Sequence, residues 1–251
     1  MVTSLVQEST PLMKLFKHFF VCAFITLLGL MSINTAFGAH FHSAEIYYEC
    51  ITTGPDAGKF KFYALLYRDC SGSANVVSPQ LTAVNVPNLT SIEMNLAAGY
   101  PQDATPTQCG LTCADQVQDI SLEVYLFESP AVFIEGVPPA TGYQFYWQPC
   151  CRVDANNIVD PINLLTRYEI TMYPYNGQAT NPCYDSAPDF AEPPASINCS
   201  GYELRYNPNA IDRDLDSLSY RLIDALPAVP PDGSPPIPVP YQPGFSGLQP
   251  F

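Results

Sequence analysis

Eight cysteines behind an apolar leader constrain this chain more than any other feature. They are Cys50, Cys70, Cys109, Cys113, Cys150, Cys151, Cys183 and Cys199, and a ninth, Cys22, lies inside the leader itself. Lys14, Lys17 and His18 precede an apolar run at 19–33, and Ala36 and Gly38 follow it as small residues. This order is that of a secretory signal peptide cut after Gly38, with Met13 an alternative start to Met1. The run is shorter than the ~20 apolar residues that a membrane span requires. An even number of cysteines in an exported chain reads as disulfides, whose pairing the sequence leaves open. Each bridge contributes ~2–4 kcal/mol, mainly by restricting the unfolded chain. A zinc site drawing on Cys109, Cys113, Cys150 and Cys151 is the competing use, which an oxidising compartment and the lack of C-x-x-C pairs disfavour. For the vicinal Cys150 and Cys151, two bridges to separate strands are expected rather than one strained bridge. Cys183–Cys199 is the one pairing expected by position.

The rest of the chain sets what such bridges would staple. Of 251 residues, 14% are charged and 12% aromatic, and 26 prolines outnumber 14 glycines. Runs rich in Ala, Glu, Lys and Leu are absent, so the chain reads as strands joined by proline-rich loops. Residues 41–51 and 59–69, "FHSAEIYYECI" and "KFKFYALLYRD", flank the turn "TTGPDAG" and form the strongest hairpin. Further strands are expected at 80–86, 90–96, 119–127, 142–148 and 166–174. In "YQFYWQ", Tyr143, Phe145 and Trp147 share one face, while Gln144, Tyr146 and Gln148 share the other. Trp147, the single tryptophan, reads as the core pin of a β-sandwich. An aromatic platform for sugar at Trp147 and Tyr146 is the alternative.

Near Pro182 the character changes. A loop, a strand at 201–207, a turn rich in aspartate and a strand at 217–224 lead into nine prolines within the last 26 residues. That is too few strands for a sandwich of ~7. The expected fold is all-β: a disulfide-bonded Ig-like β-sandwich at 39–182, then the start of a second, incomplete cadherin-like or Ig-like sandwich at 183–251. The chain is accordingly expected to be the front of a longer protein. The turn places Asp212, Asp214 and Asp216 at alternate positions. An EF-hand would need glycine at the sixth position and glutamate at the twelfth, where Ser217 and Ile223 stand. A turn between strands with three carboxylates still suits calcium, which takes six to eight oxygens, if Asp185 or Asp189 joins them. A solvated turn is the plain alternative.

"DRDLDSLSYRL" is similar to the "DPDGDSL-Y-L" turn and strand of cadherin-like repeats in bacterial surface proteins. More specifically, "HSAEIYYEC", "LLYRDC", "YQFYWQPCCR" and "SAPDF" occur in the order of the corresponding segments in large secreted proteins of gliding Bacteroidetes. The resemblance runs over residues 42–246, and the double cysteine followed by Arg152 is its most specific element. It implies Ig-like, cadherin-like or PKD-like repeats, surface display, and export by the type IX system through a C-terminal sorting domain. Leu215 stands where the repeat has glycine, which tells against calcium.

Behind Gly38 the chain keeps 8 of its 10 basic and 23 of its 24 acidic residues. Such a surface repels nucleic acid and anionic lipid and favours metal cations. His40 and His42 share a strand face, but beside a cleavage site a frayed terminus is expected rather than a metal pair. "GFSGL" is not the nucleophile elbow G-x-S-x-G. The resulting expectation is a non-enzymatic exported or cell-surface protein serving adhesion or extracellular structure, associated with gliding. Its partners would be other surface proteins or extracellular glycans, with calcium as a structural ion and no transmembrane span. A carbohydrate-binding or accessory module of a secreted polysaccharide-degrading enzyme is the alternative, and a hydrolase using paired carboxylates is a third reading.

Overall fold

The expected hairpin forms the spine of the structure. Strand β1 (Phe41–Cys50) pairs antiparallel with β2 (Phe60–Asp69), from Phe41 opposite Arg68 to Cys50 opposite Phe60. The computed structural model describes residues 41–72, 76–106, 110–117, 120–150, 152–175, 183, 185–192, 207, 209–230, 232 and 234–249. The expected signal peptide, His40 and all but Asn207 of the strand expected at 201–207 lie outside them. So do Cys109, Cys151 and Cys199.

Two antiparallel sheets follow from the hairpin. In the first, β2 also pairs with β7 (Leu122–Glu128), and β7 pairs with β5 (Asn95–Leu96) and β6 (Gln102–Asp103), giving the order β1-β2-β7-β5. In the second, β4 (Ser91–Glu93), β3 (Gln80–Val84), β8 (Tyr143–Trp147) and β9 (Tyr168–Met172) stand in that order. Residues 90–96, expected as one strand, are divided: β4 belongs to one sheet and β5 to the other, with buried Met94 at the crossing. A chain that changes sheets keeps its apolar pattern while changing its partner, so periodicity does not show the break.

Lettered along the chain, the sheets read A-B-E-D and C′-C-F-G, the order of an immunoglobulin-type sandwich. Phe60, Phe62, Ala64 and Leu66 point from β2 into the core, because a strand turns alternate residues to one face. Phe62 meets Phe145 of the facing sheet with ring centroids 4.6 Å apart. That contact joins strands B and F, the pair that antibody domains join by a disulfide. Two residues before Phe145, the Tyr143 hydroxyl lies 3.1 Å from the Glu135 carbonyl and 3.2 Å from that of Val137, donating back to the chain upstream. This is the geometry of the tyrosine corner of such folds. Gly136 is needed there: its φ is +87° and a Cβ would stand 3.0 Å from that hydroxyl.

Trp147 is not the core pin. It is half-buried at the end of β8, against Phe41 at 5.8 Å and Tyr168 at 6.1 Å, while Phe145 fills the centre. Inward direction alone does not set depth, and Trp147, the last residue of β8, is only partly buried against the core.

Residues 38–251 form one compact unit, and the 182/183 boundary is crossed by covalent and hydrogen bonds. Ala187 N–H donates to the Tyr48 carbonyl at 2.8 Å, and Cys50 N–H to Ser186 Oγ at 3.1 Å. Thus residues 185–187 flank the free edge of β1, which blunts an edge that would otherwise invite pairing. A short ribbon of β10 (Asp189–Phe190) and β11 (Ala210–Ile211) continues from there. The proline-rich tail docks on residues 148–159 through Val159 N–H to the Pro240 carbonyl at 2.9 Å and Gln242 N–H to the Asn157 carbonyl at 3.0 Å. The strand expected at 217–224 does not form: those residues have no regular secondary structure and no ladder partner among the described residues.

Candidate functional site

The aspartate turn closes on its own backbone. Asp212 Oδ1 accepts from the N–H of Asp214 at 3.0 Å and of Asp216 at 2.9 Å, as short acidic side chains do at turns. Leu215 N–H reaches back to the Asp212 carbonyl at 3.4 Å. Leu215 itself has φ = 66° and is 90% exposed. Position 215 is therefore left-handed, and a leucine holds it against its own Cβ.

The turn leans on the end of β1. Asp214 Oδ2 accepts from Ser186 N–H at 2.6 Å, which places the turn beside Asp185. Burial raises the Asp185 carboxyl to about 6, and the charges of Asp214, Asp216 and Asp212 push the same way. Burial also raises the Tyr48 phenol, with Asp185, Asp214 and Asp212 adding to it. Asp185 thus joins the three aspartates in one electrostatic cluster. Asp189 does not: its Oδ1 lies 4.0 Å from Arg213 Nε, and Arg213 also pairs with Glu49 at 2.6 Å. Among the described residues no group of three or more His, Cys, Asp or Glu side chains is arranged to hold a metal ion. One oxygen of Asp212 and one of Asp214 are committed to backbone N–H groups, and the remaining oxygens are spread around the turn.

Disulfides hold the frame on which the turn sits. Cys50 pairs with Cys183, not Cys183 with Cys199 as expected from position. The reason is spatial: Cys183, Ser186 and Ala187 lie beside the end of β1, so Cys50, 133 residues away in sequence, is the adjacent thiol. Cys70 pairs with Cys113, closing the opposite end of the hairpin onto a 3-10 turn, Cys113–Asp115. Cys150 is disulfide-bonded as well. In the "LYRDC" segment, Arg68 is buried against Glu123 at 3.2 Å, and buried Asp69 accepts Ser71 N–H at 2.7 Å on the way to Cys70. Both serve the bridge and the sheet.

The remaining expected site residues are placed elsewhere. Tyr146 is buried beneath Arg167, whose guanidinium carbon stands 4.7 Å from the ring centre, so Tyr146 and Trp147 do not form an open platform. His42 is not frayed: it lies within β1, whose pairing starts at Phe41, and its Nε2 is 3.9 Å from Asp69 Oδ2. Arg152 and Arg167 come together near the start of β1, at a pocket the sequence reading did not foresee. The signal was present in the "CCR" segment, but nothing in its spacing shows a guanidinium turned inward.

No known protein family, curated protein or solved structure matches this chain. Among the described residues no helix is long and apolar enough to cross a membrane. The fold and the local chemistry therefore carry the functional argument.

Proposed function

We propose that this chain is a non-enzymatic module of an exported, surface-displayed protein serving adhesion or extracellular structure, as its resemblance to secreted proteins of gliding Bacteroidetes implies. The observation that carries the reading is an immunoglobulin-ordered sandwich braced at both ends of its main hairpin by Cys50–Cys183 and Cys70–Cys113. Such bridges persist in oxidising compartments and suit a stiff module that must survive outside the cell. Binding partners in this reading are other surface proteins or extracellular glycans. Labelling of intact cells with an antibody to the full chain tests display; a signal that appears only after lysis would sink it.

Calcium belongs to the same proposal. A divalent cation drawn among Asp185, Asp212, Asp214 and Asp216 would offset the burial and the mutual repulsion that raise the Asp185 carboxyl. It would fix the turn against β1, with the weak Kd of order 10⁻⁴–10⁻³ M typical of extracellular modules. The melting temperature is expected to rise with millimolar calcium and to return with chelator. A calcium-dependent rise that survives intact when Asp212, Asp214 and Asp216 are all changed to asparagine would remove the turn from the proposal.

A further inference from the structure

At the start of β1, at the end remote from the aspartate turn, a cavity of about 230 Å³ opens between that strand and the chain around Arg152, Thr166 and Leu226. Phe41, Ile158 and Leu226 give it apolar walls. Its polar lining is unusual. Ser43 Oγ, Arg152 Nε, Thr166 Oγ1 and Arg167 Nε are all shut off from solvent and have no hydrogen-bond partner among the described residues. Thr166 as a whole is only 7% exposed. Buried polar atoms are nearly always paired, and an orphan costs ~1–3 kcal/mol. The four residues that carry them line one cavity, and each of the four atoms lacks an acceptor. The two guanidinium nitrogens only donate, and the two hydroxyls are able to donate.

Charge sharpens the match. Arg167 is paired with Glu169. Arg152 donates from one terminal nitrogen to the Leu226 carbonyl at 3.2 Å and has no carboxylate partner among the described residues. Burial pushes its guanidinium pKa down, which marks an uncompensated cation. His42, which also lines the cavity, lies 3.9 Å from Asp69 through its Nε2. A chain that is acidic in total thus holds at this cavity a half-buried guanidinium, Arg152, with no carboxylate partner among the described residues. We propose that this pocket binds the carboxylate of a small organic acid, with Arg152 as counter-charge and Arg167, Thr166 and Ser43 as further donors. A carboxylate is an acceptor-only group with the planar two-oxygen head that a guanidinium fork fits. The apolar walls and a volume larger than the ~150 Å³ that takes a benzene ring leave room for an organic body, which an inorganic anion lacks. The inference stands apart from the display reading and does not rest on it.

Calorimetric titration of the full chain with benzoate, benzamide, glucuronate and inorganic sulfate tests it. Benzoate or glucuronate is expected to bind one to one, and whichever binds tighter tells whether the acid's body is apolar or a sugar. Benzamide, which keeps the shape of benzoate without its charge, is expected to bind at least about tenfold more weakly. Arg152→Lys keeps the charge, loses the fork, and is expected to weaken binding about tenfold. Should that variant fail to fold, Thr166→Val and Ser43→Ala carry the test, each with a smaller loss. Four results overturn the proposal: no binding of either acid, as in a pocket that holds only water; benzamide equal to benzoate; sulfate binding more tightly than both acids; or acid affinity untouched by every variant that folds.

Discussion

Strand β2 and residues 217–224 both place an apolar side chain at every second position and reach opposite ends. In β2, Phe60, Phe62, Ala64 and Leu66 are buried, and the strand is bonded to β1 on one side and β7 on the other. In the later segment Leu218, Tyr220 and Leu222 are 37%, 59% and 62% exposed. Alternation decides which face a strand would bury; a neighbouring edge decides whether there is a strand at all. The later segment is held instead by side chains, with Ala210 N–H donating to Tyr220 Oη at 3.2 Å and Gly247 N–H to Asp224 Oδ1 at 2.8 Å.

The largest expected effect breaks this comparison directly. Phe62→Ala removes a ring that packs on Tyr48 and Phe145 and is expected to cost ~3–5 kcal/mol in denaturant unfolding. Leu222→Ala is expected to stay within about 0.5 kcal/mol of the parent. A comparable loss at both sites would mean that the later segment is buried in solution. Next in size is the joint between the regions. Replacing Cys50 and Cys183 together by serine is expected to cost ~2–4 kcal/mol, because that bridge restrains the unfolded chain over 133 residues. Protease digestion should then cut first within 183–224 while β1 to β9 stay protected. Uniform digestion from the start would show that the two regions open together.

Much of the sandwich was legible because its central strands β2, β7, β3 and β8 are partnered on both sides. The hairpin, β3, β8 and β9 lie within the segments expected as strands, and β7 runs one residue past its own, to Glu128. What stayed hidden depends on contacts between distant parts of the chain. The Cys50–Cys183 pair, the division at Met94 and the inward turn of Arg152 follow from which segment passes which strand. So does the capture of Asp185 by the aspartate cluster. The three alternate aspartates were legible as a turn, and Leu215 as its odd member; their fourth companion was visible only as one of two candidates.

Glu45 reports on the same joint through pH. It lies on β1 facing the residues that cross from 183 onward, and burial raises its carboxyl from 4.5 to about 7. A hydrogen bond from the Phe190 backbone pulls the other way, and the charge of Asp189 adds to the rise. The folded state therefore holds this proton more tightly than the unfolded chain. Stability from this group is fully present below about pH 4.5 and is lost as pH rises through about 7. Glu45→Gln is expected to flatten the stability profile in that window and to leave the protein more stable above it. An unchanged slope would place the joint away from Glu45.

The smallest expected effect falls on Leu215, and it points upward. A left-handed backbone costs an L-residue ~1–2 kcal/mol, and the 90% exposure of this side chain means that little packing offsets it. Glycine adopts φ = 66° freely, although its looser unfolded state returns ~0.5–1 kcal/mol of that gain. Leu215→Gly is therefore expected to stabilise by roughly 0.5–1 kcal/mol while keeping the Asp212 turn bonds. If calcium occupies the turn, the same substitution should also deepen the calcium-dependent rise in melting temperature, since relaxed backbone lets Asp214 and Asp216 swing inward together. A glycine variant that melts lower than its parent would show that Leu215 has a contact that repays its strain. In that case the segment after it is more than a solvated strap, and the contrast with β2 weakens.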